Sequence, residues 1–413
     1  MTVKNTTIFR NAHLIDGNGG PTIQNVVLVV SGERISWLGR ADDLPAEYAE
    51  ESVEDLGGKY LLPGFIDTHA HFLVDGEARS PYEYIDQPKS FLTLKILDRL
   101  SRTLENGITS ARDLGGIDVG VKRALEQGII RGPRVKIAVN PLSTTAGHLD
   151  LRNFSGYNGA YVHQLNDSKT TADGHDEWLK LARETIWLGA DVLKVLASGG
   201  FGTSRGNSND IGANFEELKA LVSVAHDRGK YVASHAQNAT AINNSLRAGA
   251  RSIEHGFGID QESIDLFLEN EAFLVPTLLA YHPAADKPLS PQAKAKTDAA
   301  RAIAEATIPA AFAAGVKVAF GTDAGMFAHG ENLKEIGLMV KFGLTPSQAI
   351  VAATKNAAEL NQTLDQVGTL EVGKLADFIV LDGDPLENIS LFDEPKNILV
   401  VAQGGQIVKD RRV

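Results

Sequence analysis

A chain of 413 residues with 43% apolar and 22% charged residues has the composition of a folded globular protein, long enough for one large α/β unit and a small accessory one. The net charge of −12 supplies no basic face, so neither nucleic acid nor an anionic membrane is an expected partner. There is no cysteine, which excludes disulfides and thiolate ligands and leaves nitrogen and oxygen to hold any metal.

In chain order, the opening residues carry no apolar run of the kind that marks a secretory signal. No stretch reaches the roughly 18 apolar residues of a membrane helix, so a cytoplasmic protein is expected. Residues 7–13, 25–30 and 35–38 read as short strands, broken by the turn-rich Asp16-Gly17-Asn18-Gly19-Gly20 and Ser31-Gly32-Glu33. The far end looks alike, with strands at 378–381, 398–402 and 406–408 around Gly404-Gly405. Neither end can bury a core alone. The two are expected to pair into one small β-sandwich domain of residues 1–61 plus 366–413.

Between them, apolar strands alternate with amphipathic helices. Strands are predicted at 62–71, 108–114, 135–142, 192–197, 231–235, 252–255, 273–278 and 316–322. Asn214 and Glu217 form a capping-box pair before the helix 218–228, which stops at Gly229, and the helix 239–248 stops at Gly249. Eight parallel strands, each followed by a helix, match a (β/α)8 TIM barrel over 62–365, so the fold class is α/β. Barrel chemistry sits on the loops at the carboxyl ends of strands. Two of these loops are long, 143–174 and 198–213, and read either as lids and binding loops or as surface insertions.

Against this frame, His69 and His71 stand out. Side chains alternate in a strand, so His-x-His at a strand end aims both imidazoles at one side, a good seat for a divalent metal. Further ligands are then required at other strand ends. Lys194 lies in the apolar run Val192-Leu193-Lys194-Val195-Leu196, where a free ammonium is costly to bury. Either it reaches a carboxylate at the barrel rim, or it reacts as a neutral amine with carbon dioxide and the carbamate bridges two metals. His235 ends the fifth strand, His255 the sixth, and Asp323 the eighth. Each alone has a structural reading, a satisfied core histidine or a helix-capping aspartate. Together at one barrel mouth they read as metal ligands, with Asp323 also handling protons.

This set resembles the amidohydrolase superfamily, and the surrounding wording is similar to its prolidase-like and imidazolonepropionase-like members. The stretches that carry the resemblance are Pro63-Gly64-Phe65-Ile66-Asp67-Thr68-His69, Thr145-Ala146-Gly147-His148, Ala197-Ser198-Gly199-Gly200, Ser252-Ile253-Glu254-His255-Gly256, Gly321-Thr322-Asp323 and Gly373-Lys374-Leu375-Ala376-Asp377. The resemblance implies a binuclear metal-dependent amidohydrolase. His69, His71 and Asp323 would hold one divalent ion and His235 and His255 the other, with carboxylated Lys194 and a hydroxide bridging them. Zinc is the first expectation, with manganese or cobalt as alternatives. Imidazolonepropionases lack the bridging lysine, so Lys194 argues against that activity. The resemblance further implies that His148 contacts the substrate carbonyl or carboxylate, and that the chain assembles as a homo-oligomer.

The expected reaction is hydrolysis of an amide bond in a small molecule, a dipeptide or an N-acyl amino acid. The family's dipeptidases often place a tyrosine two residues after the strand-five histidine, where this chain has Gln237. That departure weakens a dipeptidase assignment and leaves room for a xenobiotic amide, carbamate, urea or cyclic amide. Gln237, Tyr281 and His282 are candidate substrate residues, and Phe154, Tyr157 and Tyr161 make the 143–174 loop aromatic. His13, His163, His175, His226 and His329 receive structural readings. A barrel without activity, kept for metal binding, is the reading from outside enzymology, but such a chain would have lost a ligand and this one has not.

Overall fold

The computed structural model describes residues 6–48, 51–76, 87–150, 169–201, 207–282 and 290–412. Strands from both ends form one seven-stranded sheet, in the spatial order Gln406–Asp410, Ile398–Gln403, Phe378–Leu381, Ser52–Pro63, Thr6–Leu14, Ile23–Ser31, Arg34–Arg40. Period-two alternation sorts its faces. Phe9, Leu28, Val30, Phe378, Val380 and Val400 share one cluster, while Ile8, Val27 and Val29 pack on the other side under Trp37, Leu44 and Tyr48. The early half of Ser52–Pro63 was not anticipated, because Ser52 to Lys59 is largely exposed and has no apolar run.

The apolar stretch expected as one strand at 62–71 is divided between two sheets. Leu61, Leu62 and Pro63 pair antiparallel with Val380, Ile379 and Phe378, and Phe65–Ala70 then runs parallel to Ile108–Asp113. Gly64 is the crossing point, where a Cβ would stand 2.2 Å from Thr109 Oγ1, so only glycine fits.

The parallel strands are buried on both faces, as their near-continuous apolar runs require. Phe65–Ala70, Ile108–Asp113 and Arg134–Ile137 make a three-stranded sheet. Pro141–Leu142, Leu193–Leu196, Val232–Ala236, Ser252–His255, Phe273–Val275 and Lys317–Val318 make a six-stranded one. Backbone bonds link the three-stranded sheet to residues that flank strands of the six-stranded one. Asp191 N–H reaches Ile137 O at 2.7 Å, and Thr68 N–H reaches Phe320 O at 3.0 Å. Helices alternate with the strands, from Lys89–Glu105 to Lys334–Lys341, and one apolar cluster joins them to the strands.

Three expected strands are shorter than their apolar runs, each because the backbone turns away from the ladder. The run 135–142 breaks after Ile137, with Val139 at a left-handed φ of +65°. The run 273–278 ends at Val275, and Thr277, φ +48°, leads into a 3₁₀ turn over Leu278–Tyr281. The run 316–322 pairs only at Lys317–Val318, since Phe320 N–H then goes to Ala352 O and Thr322 N–H to His69 O. The helix caps are as read: Asn214 and Glu217 close a capping box, and Gly249 ends Ala239–Ala248 at φ +98°. Among the described residues no helix is long and apolar enough to cross a membrane.

Candidate metal centre

His69 and His71 leave the end of Phe65–Ala70 on the same side and meet Asp323. Asp323 Oδ1 lies 3.5 Å from His69 Nε2 and 3.4 Å from His71 Nε2, and one ligand atom from each of the three falls within 4.8 Å of the others. Two ligands each about 2.1 Å from a tetrahedral ion are about 3.4 Å apart, so this spacing is that of a shared metal.

Both rings are turned by their other nitrogen. His69 Nδ1 is 2.7 Å from the buried Glu254 carboxylate, and His71 Nδ1 donates to Gly115 O at 2.9 Å. Each leaves Nε2 facing Asp323. Glu254 is itself held by the Arg112 guanidinium at 2.8 Å and by the Ser252 hydroxyl. Asp67 fastens the two ligand-bearing segments together. It accepts the N–H groups of His69 and Thr322, the Thr322 hydroxyl and the Asn332 side-chain amide. Burial outweighs those donors and raises its carboxyl to about 6. Asp323 and His255 sit at φ +60° and +71°, left-handed conformations unusual for such residues and concentrated at functional sites.

The remaining expected ligands converge beside this group. His255 Nδ1 is 2.6 Å from Thr277 Oγ1, so its Nε2 is the nitrogen left over. On His235 the roles reverse, because Nε2 donates to Gly199 O at 3.2 Å and leaves Nδ1. The His235 and His255 ring centroids are 4.6 Å apart, and those of His69 and His255 are 5.1 Å apart. Lys194 stands in register with Ala233 on the strand that carries His235. It is buried, and its Nζ has no hydrogen-bond partner among the described residues. Burial brings its ammonium down to about 8 against the opposing pull of Glu254 and Asp323. Burial likewise holds His69, His235 and His255 well below the usual imidazole range, with neighbouring cationic groups adding to it. Asp323 is raised, mainly by burial, despite His71 and Lys194 beside it.

His148 stacks on His235, centroids 4.8 Å apart, and lies so close to Gly200 that a Cβ there would meet the imidazole. Gln237 Nε2 donates to Tyr281 Oη at 2.9 Å, and the Tyr281 ring lies 6.2 Å from that of His255. His282 turns away from the cluster, with Nδ1 on Leu278 O at 2.8 Å and its ring against Phe342. Phe154, Tyr157, Tyr161 and His163 lie outside the described residues. His13 packs on Tyr60, His175 faces Asp176, and His226 lies on Phe215–Asp227. His329 is close to the site: its Nε2 is 3.2 Å from His71 O and 3.0 Å from Val74 O, and its ring stacks on Phe72.

Sequence reasoning missed Glu254, Arg112, Asp67 and Thr277, which orient the ligands. For the first three the signal was present as charged residues inside buried strands, where each needs a partner, whereas Thr277 is uncharged and lies beyond its strand.

The donor set fits a metal. Neutral imidazoles offer lone pairs, their outer nitrogens are fixed by acceptors as metal-binding histidines require, and an orphaned amine is held among them. Parallel α/β strands that deliver such a group at their carboxyl ends define a metal-binding α/β enzyme scaffold. Residues 60–408 match the model of the Amidohydrolase family, and the chain belongs to that family. It is 32% identical to the ochratoxinase of Aspergillus niger over 98% of this chain and 86% of that one. It is 23% identical to the imidazolonepropionase of Agrobacterium fabrum, over 91% and 90% of the two chains. A Xaa-Pro dipeptidase solved with methionine in its active site superposes with a TM-score of 0.87 at 30% identity, covering 97% of this chain and 99% of that one. The protein is a hydrolase acting on carbon–nitrogen bonds.

Proposed function

We propose that the chain is a binuclear metal-dependent amidohydrolase that cleaves the amide bond of a small peptide-like molecule, an N-acyl amino acid or a dipeptide. His69, His71 and Asp323 would hold one cation and His235 and His255 the other, with Lys194 as a carbamate between them. The observation that carries the reading is Lys194: a buried amine without a hydrogen-bond partner among the described residues, ringed by neutral imidazoles. With its ammonium lowered to about 8, roughly a tenth is free amine at neutral pH. That amine can add to carbon dioxide, forming the N–C bond and releasing one proton.

Bound there, the cations supply Lewis acidity toward the scissile carbonyl and ionise water near neutral pH. The protein's own groups do the rest. Asp323, made more basic by burial, accepts the proton of the attacking water and returns it to the leaving nitrogen. His148, stacked over His235, would meet the substrate carbonyl or carboxylate. Glu254 and Thr277 keep His69 and His255 in the tautomers that present Nε2.

The same reading takes the parallel strands as a closed (β/α)8 barrel, supported by the bonds from Thr68 to Phe320 and from Asp323 to His69. It takes the terminal sheet as curling into a sandwich of residues 1–61 plus 366–413. In support, Phe9 and Phe378 have another strand between their own yet bring their rings within 5.0 Å.

The uncharged Gln237–Tyr281 pair favours a second substrate reading, a neutral xenobiotic amide, carbamate, urea or cyclic amide. A panel of N-acyl amino acids and dipeptides, assayed beside anilides and carbamates with zinc and bicarbonate present, separates the two. Turnover of the carboxylate-bearing compounds is the expected result. Activity confined to compounds without a carboxylate overturns the peptide-like version.

A further inference from the structure

Among the buried polar atoms without a partner in the described residues, two belong to the site: Lys194 Nζ and Gln237 Oε1. The first has a role in the proposed centre. The second has none, and an unpaired buried carbonyl is costly. Gln237 is 3% exposed, two residues beyond His235, with its backbone N–H on Ser198 Oγ at 3.0 Å. Its Nε2 is spent on Tyr281 Oη. Because that bond occupies a lone pair of the phenol, the Tyr281 O–H proton remains to be donated elsewhere. The pair therefore offers one acceptor and one donor side by side, with no formal charge. Around it stand aromatic edges: Phe257 and Phe201 lie 4.8 and 6.2 Å from the Tyr281 ring, both edge-on. The turn that carries Tyr281 is held by the buried Glu335 carboxylate, which accepts Leu278 N–H at 2.8 Å and Leu279 N–H at 2.6 Å.

We propose that Gln237 and Tyr281 form a specificity site for a secondary amide, with Gln237 Oε1 accepting the substrate N–H and Tyr281 O–H donating to a substrate carbonyl oxygen. A tertiary amide, such as an N-alkylated or prolyl one, has no N–H to offer and leaves Oε1 unpaired. A site built to bond a polar hydrogen rejects the analogue that lacks it much more strongly than an apolar pocket does. This rests on the amide-hydrolysis reading above and names the class of amide within it.

The matched probes are N-benzoylglycine and N-benzoylsarcosine, which differ by one N-methyl group. Wild-type turnover is measured for both. Binding of both is measured by calorimetry on Asp323→Asn protein, which lacks the proton carrier, at a metal content matched to that of the wild type. The proposal expects N-benzoylglycine to be favoured by about tenfold or more in kcat/KM and in affinity, the loss of one buried hydrogen bond. Gln237→Met should shrink that preference to within about twofold, while Gln237→Glu, which keeps an acceptor, should retain it. Equal binding of the two probes, or binding of neither, overturns the pair's role, as does a preference that survives Gln237→Met. An amide turned the other way would present a donor instead, and N-methylation would then change nothing. Preferential binding of N-benzoylglycine without turnover of either probe would leave the pair standing and count against N-acyl amino acids as the substrate class.

Discussion

His69 illustrates what a single residue must satisfy here. Its Nε2 can face a cation because Nδ1 is taken by Glu254, and the Glu254 carboxylate is itself held in the interior by the Arg112 guanidinium. Outer partners of this kind typically change metal affinity 10–100-fold when altered. Glu254→Gln should therefore weaken zinc binding by about that factor in a chelator-competition titration, and unchanged affinity would show that Glu254 does not orient the ring. Lys194→Ala should lose most of its metal and activity, with partial recovery in millimolar acetate or propionate that replaces the carbamate oxygens. Full metal content and wild-type rate would remove Lys194 from the centre. The six candidate ligands were legible because chemistry on parallel strands must sit at their carboxyl ends, where His, Lys and Asp interrupt apolar runs. Glu254 was not, since it is adjacent to His255 and strict alternation would turn the two to opposite faces. The left-handed φ of +71° at His255 breaks that alternation and lets both neighbours serve the site.

At the scale of elements, the segments that leave the strands are tied down by buried polar groups. Asp75 accepts the His329 N–H and pairs with Arg102 at 2.7 Å, and His329 in turn bonds the carbonyls of His71 and Val74. Burial pushes His329 down from 6.5 to about 4, although Asp75 pulls the other way. Between those values the folded state binds fewer protons than the unfolded one, so this residue's contribution is present above about 6.5 and lost as pH falls toward 4. Urea midpoints of metal-free wild-type and His329→Gln protein at pH 7 and pH 5 measure this. The wild type should lose more stability on acidification than the variant, and equal losses would contradict the assignment. The sequence pattern located helices well, because their caps are local: Asn214 with Glu217, and Gly249. It overran the ladders at 138–140, 276–278 and 319–322, because the apolar composition continues where pairing stops. What ends each ladder is a turn at Val139, Thr277 or beyond Val318, set by contacts with distant segments.

Over the whole molecule, both chain ends support one sheet, and that sheet delivers the first ligand-bearing strand. Ser52–Pro63 bridges strands from the two ends, then Gly64 passes the chain directly to Phe65–Ala70. Phe378 is fully buried against Phe9, so Phe378→Ala should cost about 3–5 kcal/mol of stability. Zinc affinity per folded molecule should be nearly unaffected, since Phe378 touches no candidate ligand. A loss below about 1 kcal/mol in urea unfolding would mean that the terminal sheet is not a shared core. That the ends pair was readable from their matching strand-and-turn composition. The order of pairing was not, because it depends on contacts between residues more than 300 positions apart. The proposed pair of cations sharing Lys194 is read out by anomalous diffraction at the zinc edge, on crystals grown with zinc and bicarbonate. The expected map has two peaks, one against His69, His71 and Asp323, the other against His235 and His255, with the Lys194 side chain extended between both. A single peak, or two peaks with Lys194 bound to neither, would contradict it.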